Sequence, residues 1–471
     1  MLLLNSSPLV SFRLLFNAGS ALDPAGKEGV ASLTAAMLAA GGTRELSYEE
    51  IVREMYPMAT SFLSQVDKEM TVFFGTTHRD NLEKYYQIIS RQALDPGWRE
   101  DDFTRLREDA INFLKISLRG NNDEELGKEE LYNFIYRHHP YGHHNAGTIR
   151  ALEAMTLDDV KSFYRQHYTR ANLVAGLAGG YPSGFDERVM ADFSTALPEG
   201  QPSSFDLPEP EKIEGLEMRV ISKDTRGTAI SFGYPIRVTR AHEDWPALFV
   251  AQSWLGQHRS SNSRLYQRLR QIRGLNYGDY AYIEYFPRGM FQFYADPNLA
   301  RSQQIFQVWI RPVEPQNGLF ALRCALYELR KLIETGLSRE DFDSTRLFLK
   351  KFVNVLTRTQ DAQLGYALDS RYYQIPQFVE YVRDRLERLT LDDVNRVIRA
   401  HLQADEIKIA VVTKETESFV ESALSNRPSP ISYASPPGED ILEEDRVIEQ
   451  YPLRFNREAV EVVPVEKVFE E

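Results

Sequence analysis

An internal repeat constrains the fold of this chain more than any other feature of its sequence. The segment LEAMTLDDV at residues 152–160 returns as LERLTLDDV at residues 386–394, 234 positions later. An earlier pair, REDDFTRLREDAINFLK from Arg99 and REDFDSTRLFLKKFVNVL from Arg339, keeps the same order at nearly the same offset. Two ordered matches predict a duplicated domain, and 471 residues are enough to form two cores.

Composition indicates where the duplicated halves meet. The segment ALPEGQPSSFDLPEPEKIEG, residues 196–215, is rich in Pro, Ser, Gly and acidic residues and lacks periodicity, as is typical of an exposed linker. After about Lys414 the chain turns polar and then regains strand character in AVEVVPVEKVF, which favours a tail docked on one of the domains. We predict an N-terminal domain, a linker, a C-terminal domain and a tail at residues 1–200, 201–215, 216–425 and 426–471.

The order of periodic segments predicts the fold class. Each half begins with strand-like alternation, in LVSFRLLFNAGS and TAISFGYPIRV, and continues into a helix. Further strand signals, EMTVFFGT and MFQFYAD, precede long helices, and an apolar strand closes each half. Because the regular βαβ rhythm of a parallel sheet is missing, we predict an α+β fold, with helices packed on one face of a mainly antiparallel sheet in each domain.

Charge and hydropathy argue against several classes of function. A formal net charge of −13 disfavours nucleic acid and anionic membranes as main partners, since both require clustered Lys and Arg. No apolar run is long enough to predict a membrane span. The short apolar stretch at Met1 has no basic leader or small-residue cleavage site, so we predict no signal peptide; the compartment, cytoplasmic or periplasmic, stays open. Cys324 is the only cysteine, and we expect it to be a buried structural thiol.

Residues 16–43, FNAGSALDPAGKEGVASLTAAMLAAGGT, resemble the metal-binding region of the pitrilysin/insulinase metallopeptidases, whose motif is the inverted HxxEH. In active members a strand ending in a GS turn leads to a helix of the form GLAHFLEHMLFKGT. The resemblance puts Ser32 at the first His, Ala35 at the Glu and Ala36 at the second His. Ser and Ala provide neither a metal ligand nor a base, so we expect this chain to hold no zinc there.

The third zinc ligand of the family is a Glu in a pattern such as VVLEEI. The matching stretch here is EDAINFLKI, which puts Asn112 or Phe113 at that position. Another possible metal site is HHPYGHH, residues 138–144. Active relatives carry a similar HPYG turn, and Pro140 and Gly142 indicate a turn here, so we expect a structural segment rather than a ligand set. The remaining histidines stand apart in the sequence, and we expect each at the surface or in packing: His78, His167, His242, His258 and His401.

One motif of the family is retained. Residues 260–285, SSNSRLYQRLRQIRGLNYGDYAYIEY, resemble the family sequence SRLFQELREKRGLAYSVYS, whose Arg and Tyr reach across the chamber to the zinc site of the opposing domain. The resemblance implies that Arg273 and Tyr277 bind substrate, through guanidinium donors and through a hydroxyl aimed at the oxyanion. Gly274 would end the preceding helix. The alternative is that Arg273 pairs with a nearby acid and Tyr277 packs in a strand.

Loss of the ligands together with retention of the Arg/Tyr pair implies a function. By resemblance, also to bacterial peptidases like the mitochondrial processing peptidase, this chain is the non-catalytic, substrate-binding subunit of a heterodimeric zinc metallopeptidase. It would bind no cofactor itself, and the partner would contribute HxxEH and zinc for peptide hydrolysis. Two alternatives remain, an inert structural or assembly protein of the same fold and a homodimeric peptide-binding protein.

Active members bind substrate as an added strand along a sheet edge that resembles GGxxNAxTS. The corresponding stretch, MATSFLSQVDKEMT at residues 58–71, has Leu63 and Ser64 where NA is expected. This departure argues against edge-strand binding in this subunit.

Overall fold

The second half of the chain repeats the strand arrangement of the first. A computed structural model describes residues 1–433, 435 and 437–471. The first half contains the strands β1 (Leu2–Leu4), β2 (Leu9–Phe16), β3 (Leu63–Val66), β4 (Thr71–His78) and β5 (Leu173–Gly179). Its helices are α1 (Val30–Ala40), α2 (Tyr48–Met55), α3 (Leu82–Leu94), α4 (Glu100–Asn112), α5 (Asp123–Ile135), α6 (Ile149–Ala154), α7 (Leu157–His167) and α8 (Phe185–Ala196).

The second half and the C-terminal segment contain the remaining regular elements. The strands are β6 (Leu216–Ser222), β7 (Thr228–Ile236), β8 (Asp279–Tyr282), β9 (Gln304–Val313), β10 (Ile407–Thr413) and β11 (Phe455–Pro464). The helices are α9 (Trp245–Gly256), α10 (Gly318–Thr335), α11 (Arg339–Leu356), α12 (Gln360–Tyr372), α13 (Phe378–Arg388), α14 (Leu391–His401), α15 (Thr416–Ser425) and α16 (Glu439–Ile448). Two π-helical segments, Phe113–Leu118 and Tyr266–Gln271, and short 3-10 turns complete the set.

Both sheets have the same topology. The first has the order β1-β5-β2-β4-β3, and the second has β11-β6-β10-β7-β9-β8, which is the same order with β11 added at one edge. Antiparallel pairing holds the centre of each sheet, whereas the outer pairs β1–β5, β6–β10 and β6–β11 are parallel. The α+β class and the duplication are therefore confirmed.

The repeated TLDDV sequence has the same local structure in both halves. Thr156 caps the N-terminus of α7 and Thr390 caps that of α14, and each side chain accepts the backbone N–H of the Asp three residues later. The carboxylates of Asp159 and Asp393 accept the backbone N–H of their Thr in return. These capping boxes explain why the motif recurs, because each satisfies two otherwise free helix N–H groups.

In addition to the helices of its own domain, each sheet is covered on its other face by a helix of the other domain. Along β10, Ile409 and Val411 pack in the core of the second domain, while Ala410 and Val412 pack in the core of the first. Helix α5 of the first domain lies against β7 and β10, and α12 of the second domain lies against β2 and β5. Each domain thus packs one of its helices against the sheet of the other domain.

Ion pairs of two buried arginines also join the domains. The Arg301 guanidinium is bidentate to Asp67, and both side chains are almost fully buried. Arg13 donates from Nε to Oδ1 of Asp361 at 3.0 Å, which joins β2 to α12. Since a buried charge without its partner is costly, these pairs specify how the domains dock.

The C-terminal segment contacts both domains, whereas the sequence predicted docking on one. Helix α16 packs against α10, and β11 pairs in parallel with β6. Beyond β11, the carbonyl oxygen of Phe469 accepts the N–H of Ile149 at 2.8 Å. Arg119 also donates to the backbone oxygen of Val468 at 3.0 Å. The segment therefore links the second sheet to the first domain.

Candidate functional site

A cleft of about 880 Å³ opens between the two domains. The first domain contributes Ser32, the edge strand β3 and Phe113, which begins a π-helical segment. The second domain contributes residues of the long connection between β8 and β9, among them Tyr285 and Phe291. The cleft is large enough for a segment of peptide.

The helix at the HxxEH position faces this cleft without metal ligands. Ser32 lies at the cleft wall, and its Oγ donates to the backbone oxygen of Asn145 at 2.5 Å. Ala35 is 1% exposed in the first core, and Ala36 packs at its edge. The Ser32 hydroxyl already forms a hydrogen bond, and Ala35 and Ala36 have only methyl side chains. These three positions therefore do not fit a zinc ion.

Of the two candidates for the third ligand position, Phe113 lines the cleft and Asn112 does not. Phe113 lines the cleft with Ser32, and its ring centroid lies 5.7 Å from that of His144. Asn112 is exposed to solvent and does not line the cleft. A shift of one residue turns a helical side chain by about 100°, so the two candidate residues point in different directions. Phe113, although 42% exposed, faces the cleft.

Two buried ionisable groups, His144 and Glu129, form part of the cleft wall. Burial and the Lys68 ammonium lower the pKa of His144 to about 3, so its imidazole is neutral. His144 Nδ1 accepts the N–H of Ala146 at 2.9 Å, which leaves the proton on Nε2, 3.9 Å from Oε2 of Glu129. Burial also raises the pKa of Glu129 to about 7, against the lowering effect of Lys128. This carboxyl group titrates near neutral pH.

Arg273 lies away from the cleft and is paired with acids. Its side chain is fully buried, and Nε donates to Oδ1 of Asp445 at 2.8 Å. Nη2 donates to Glu444 Oε2 at 3.0 Å, and Nη1 donates to the backbone oxygen of Arg268 at 2.9 Å. Both acids belong to α16, so the structure shows the alternative in which Arg273 pairs with acids. Those partners are distant in sequence.

Tyr277, in contrast, is exposed. Its side chain is 73% accessible in the loop before β8, and its backbone oxygen accepts from Arg270 Nη1 at 2.7 Å. Gly274 has a φ of 64° and lies just beyond the π-helical segment, which confirms its predicted role in ending the helix. Gly278 has a φ of 149°, so a glycine with positive φ stands on each side of Tyr277.

Two family models match the chain. The family model for insulinase (peptidase family M16) matches residues 2–149, and the model for the peptidase M16 inactive domain matches residues 154–349. The chain belongs to peptidase family M16.

The relatives of this chain are described in contrasting ways. An uncharacterized zinc protease of Rickettsia bellii is 24% identical over 61% of this chain and 68% of its own length. The non-peptidase homolog YmxG of Helicobacter pylori is 22% identical over 87% of this chain and 90% of its own length. The crystal structure of a peptidase M16 inactive domain from Pseudomonas fluorescens has a TM-score of 0.75 at 21% identity, over 87% of this chain and 94% of that chain. The structural likeness supports the M16 fold.

The histidine-rich turn of this M16 chain is held by individual contacts. His139 Nε2 lies 3.0 Å from the backbone oxygen of Pro208, and its Nδ1 accepts the N–H of Tyr141. His143 Nε2 lies 3.1 Å from Oδ2 of Asp23. Within residues 1–433, 435 and 437–471, the turn contributes to no cluster of three metal-ligating side chains.

Strand β3 leaves one edge open toward the cleft. Leu63 is 50% exposed, and in the described part of the chain β3 pairs only with β4. The amide of Gln65 donates to the backbone oxygens of Pro297 and Asn298 at 3.1 and 3.2 Å, so part of the strand faces the β8–β9 connection. The free edge is therefore short.

Sequence reasoning missed the buried charges around the cleft. Helix α5 reads as a solvated acidic helix in DEELGKEELYNFI, yet Lys128 and Glu129 are buried against the second domain. Lys128 pairs with Glu125 on the same helix, but it also donates to the Phe286 oxygen, 158 residues later. Glu129 accepts from the Tyr285 hydroxyl, 156 residues later, and such distant contacts have no local sequence signal. Among the helices of the described residues, none is long and apolar enough to cross a membrane.

Proposed function

We propose that this chain is the non-catalytic subunit of a two-subunit zinc metallopeptidase that cleaves peptides with a separate HxxEH chain. The observation that carries the proposal is a cleft lined by Ser32 and Phe113, with Ala36 on the same helix as Ser32, where the family resemblance expects metal ligands. The Helicobacter relative described as a non-peptidase homolog supports the lack of activity in the isolated chain. The partner supplies the zinc.

In this proposal Tyr277 is the group presented to the partner's site. Its exposed side chain lies in a loop with a positive-φ glycine on each side. A tyrosine hydroxyl can donate to the oxyanion that forms when water attacks the scissile carbonyl. Arg273 attaches the start of this loop to Asp445. Arg273 could bind the substrate only if a carboxylate of the peptide replaced the Asp445 carboxylate.

The test mixes the purified chain with an HxxEH partner and follows cleavage of a quenched fluorescent peptide. We expect the chain alone to be inactive and zinc-free at Ser32, and the mixture to be active. Tyr277→Phe should lower kcat roughly 100-fold with unchanged complex formation. Tyr56→Phe is a matched control, because Tyr56 is also exposed, at 83%, and lies in the first domain.

An inert scaffold is the second candidate, and the complete pairing of Arg273 with acids of α16 favours it. In that case the mixture would be equally active with Tyr277→Phe and with the parent chain. The free edge of β3 favours the third candidate, a homodimeric peptide-binding protein. Capture of the peptide by the isolated chain, without hydrolysis in any mixture, would support that function and contradict the first.

A further inference from the structure

The second domain brings together two histidines and an aspartate that are separated in sequence. His242 and Asp244 precede α9, and His401 is the last residue of α14. One ligand atom from each lies within 4.8 Å of the others, the only such group of three found in the described residues. None of the three lines the cleft between the domains.

The contacts within this group hold the ligand atoms in place. His401 Nε2 lies 2.8 Å from Oδ2 of Asp244, and Arg396 Nη2 donates to Oδ1 of the same carboxylate at 2.6 Å. The imidazole rings of His242 and His401 are 5.6 Å apart and nearly perpendicular. Because α9 packs directly against α14, the start of α9 and the end of α14 hold the three side chains close together.

Metal binding would change the hydrogen bonds of both imidazoles. His242 Nδ1 accepts the backbone N–H of Asp244 at 3.1 Å, so a metal ion would bind at this nitrogen by displacing that N–H, or at Nε2 by displacing its proton. At His401, a metal ion would replace the proton shared between Nε2 and the Asp244 carboxylate. Arg396 would keep its bond to the other oxygen and orient the carboxylate from behind.

We propose that His242, Asp244 and His401 form a binding site for a divalent transition-metal ion of the zinc class. Two imidazoles and one carboxylate are a ligand set that zinc accepts, with water in the remaining position. The His401 side chain is 24% exposed, which leaves a path for the ion. Glu243 and Asp393 lie near Arg396 and offset part of the positive charge of its guanidinium. The proposal is independent of the peptidase partnership.

The test titrates the metal-stripped full chain with Zn²⁺ by calorimetry and with Co²⁺ by visible absorption. We expect one ion per chain at this site, with d–d bands that report imidazole ligation. His242→Gln and His401→Gln should each weaken binding about tenfold or more. His78→Gln is the matched control, because His78 is also partly exposed but lies in the first domain.

A fourth variant separates ligation from charge. Arg396→Gln keeps all three ligands, so we expect it to bind at least as tightly as the parent chain. Circular dichroism of each variant checks that the fold is intact. The site is refuted if the parent chain binds neither ion, if both histidine variants bind like the parent, or if His143→Gln alone abolishes binding.

Discussion

The guanidinium of Arg273 donates from Nε to Oδ1 of Asp445 at 2.8 Å, and this bond joins the base of the Tyr277 loop to α16. The Arg273 side chain is fully buried and that of Asp445 is 6% exposed. Asp445 also accepts from the hydroxyl of Tyr433 at 2.5 Å. The loop that the family resemblance assigns to substrate is thus attached to the C-terminal segment.

Asp445→Ala should destabilise the chain by about 3 kcal/mol, because it leaves a buried guanidinium with only part of its compensation from Glu444. Urea denaturation measures the change in the free energy of unfolding. Glu443→Ala is the control, since Glu443 is exposed on the same helix, and we expect it to change stability by no more than about 0.5 kcal/mol. Equal effects of the two substitutions would contradict the importance of the Arg273 pair.

Glu129 should make stability fall as pH rises. Its folded pKa is raised to about 7 from 4.5 by burial, so the folded state binds more protons than the unfolded state between those values. Stability is therefore lost as pH increases through that window, by about 3 kcal/mol at most. Glu129→Gln should remove this loss, so that the variant gains on the parent between pH 5 and pH 8.

The measurement for Glu129 is the free energy of unfolding at several pH values. Glu49→Gln, at an exposed glutamate of α2, provides the control and should follow the parent profile. Parallel profiles for Glu129→Gln and the parent chain would show that Glu129 does not titrate in this window.

The duplicated capping boxes should contribute equally. Thr156→Ala and Thr390→Ala each remove a side-chain oxygen that accepts a helix N–H, so we expect each to cost about 1 kcal/mol. Thermal or chemical denaturation of the two variants tests this. A cost confined to one half would mean that the repeated sequence has lost its structural role in the other.

Restoring ligands tests which residue occupies the third zinc position. Ser32→His, Ala36→His and Phe113→Glu together should create a zinc site, because Phe113 faces the cleft beside Ser32. The matched variant carries Asn112→Glu in place of Phe113→Glu and should bind zinc at least about tenfold more weakly. A His401→Gln background removes the other proposed site, and calorimetry measures the affinity. Stronger binding by the Asn112 version would reverse the assignment.

The internal repeat predicted much of the fold, because the repeated segments adopt the same local structure in both halves. The capping boxes of Thr156 and Thr390 and the turn at Gly274 are encoded within a few residues. The pairing of Arg273 with Asp445 is not, since the partners are 172 residues apart. For the same reason His242 and His401 read as isolated histidines, although α9 and α14 bring them together.

The sequence also did not predict that a helix of each domain covers the sheet of the other. The apolar residues of β10 do not alternate with polar ones, because Ile409 and Ala410 face different cores and both are fully buried. Such a continuous run predicts burial on both faces but does not identify what covers each face. The covering helix, α5, belongs to the other domain.

The C-terminal segment has a consequence for the order of folding during synthesis. Strand β11 completes one edge of the second sheet, and the Phe469 oxygen then bonds to Ile149 in the first domain. Both domains leave the ribosome before this segment does, so their cores can form early. The contact of Phe469 with the first domain forms only afterwards. A nascent chain arrested before Phe455 would therefore expose the edge of β6, an unpaired template on which another chain could add a strand.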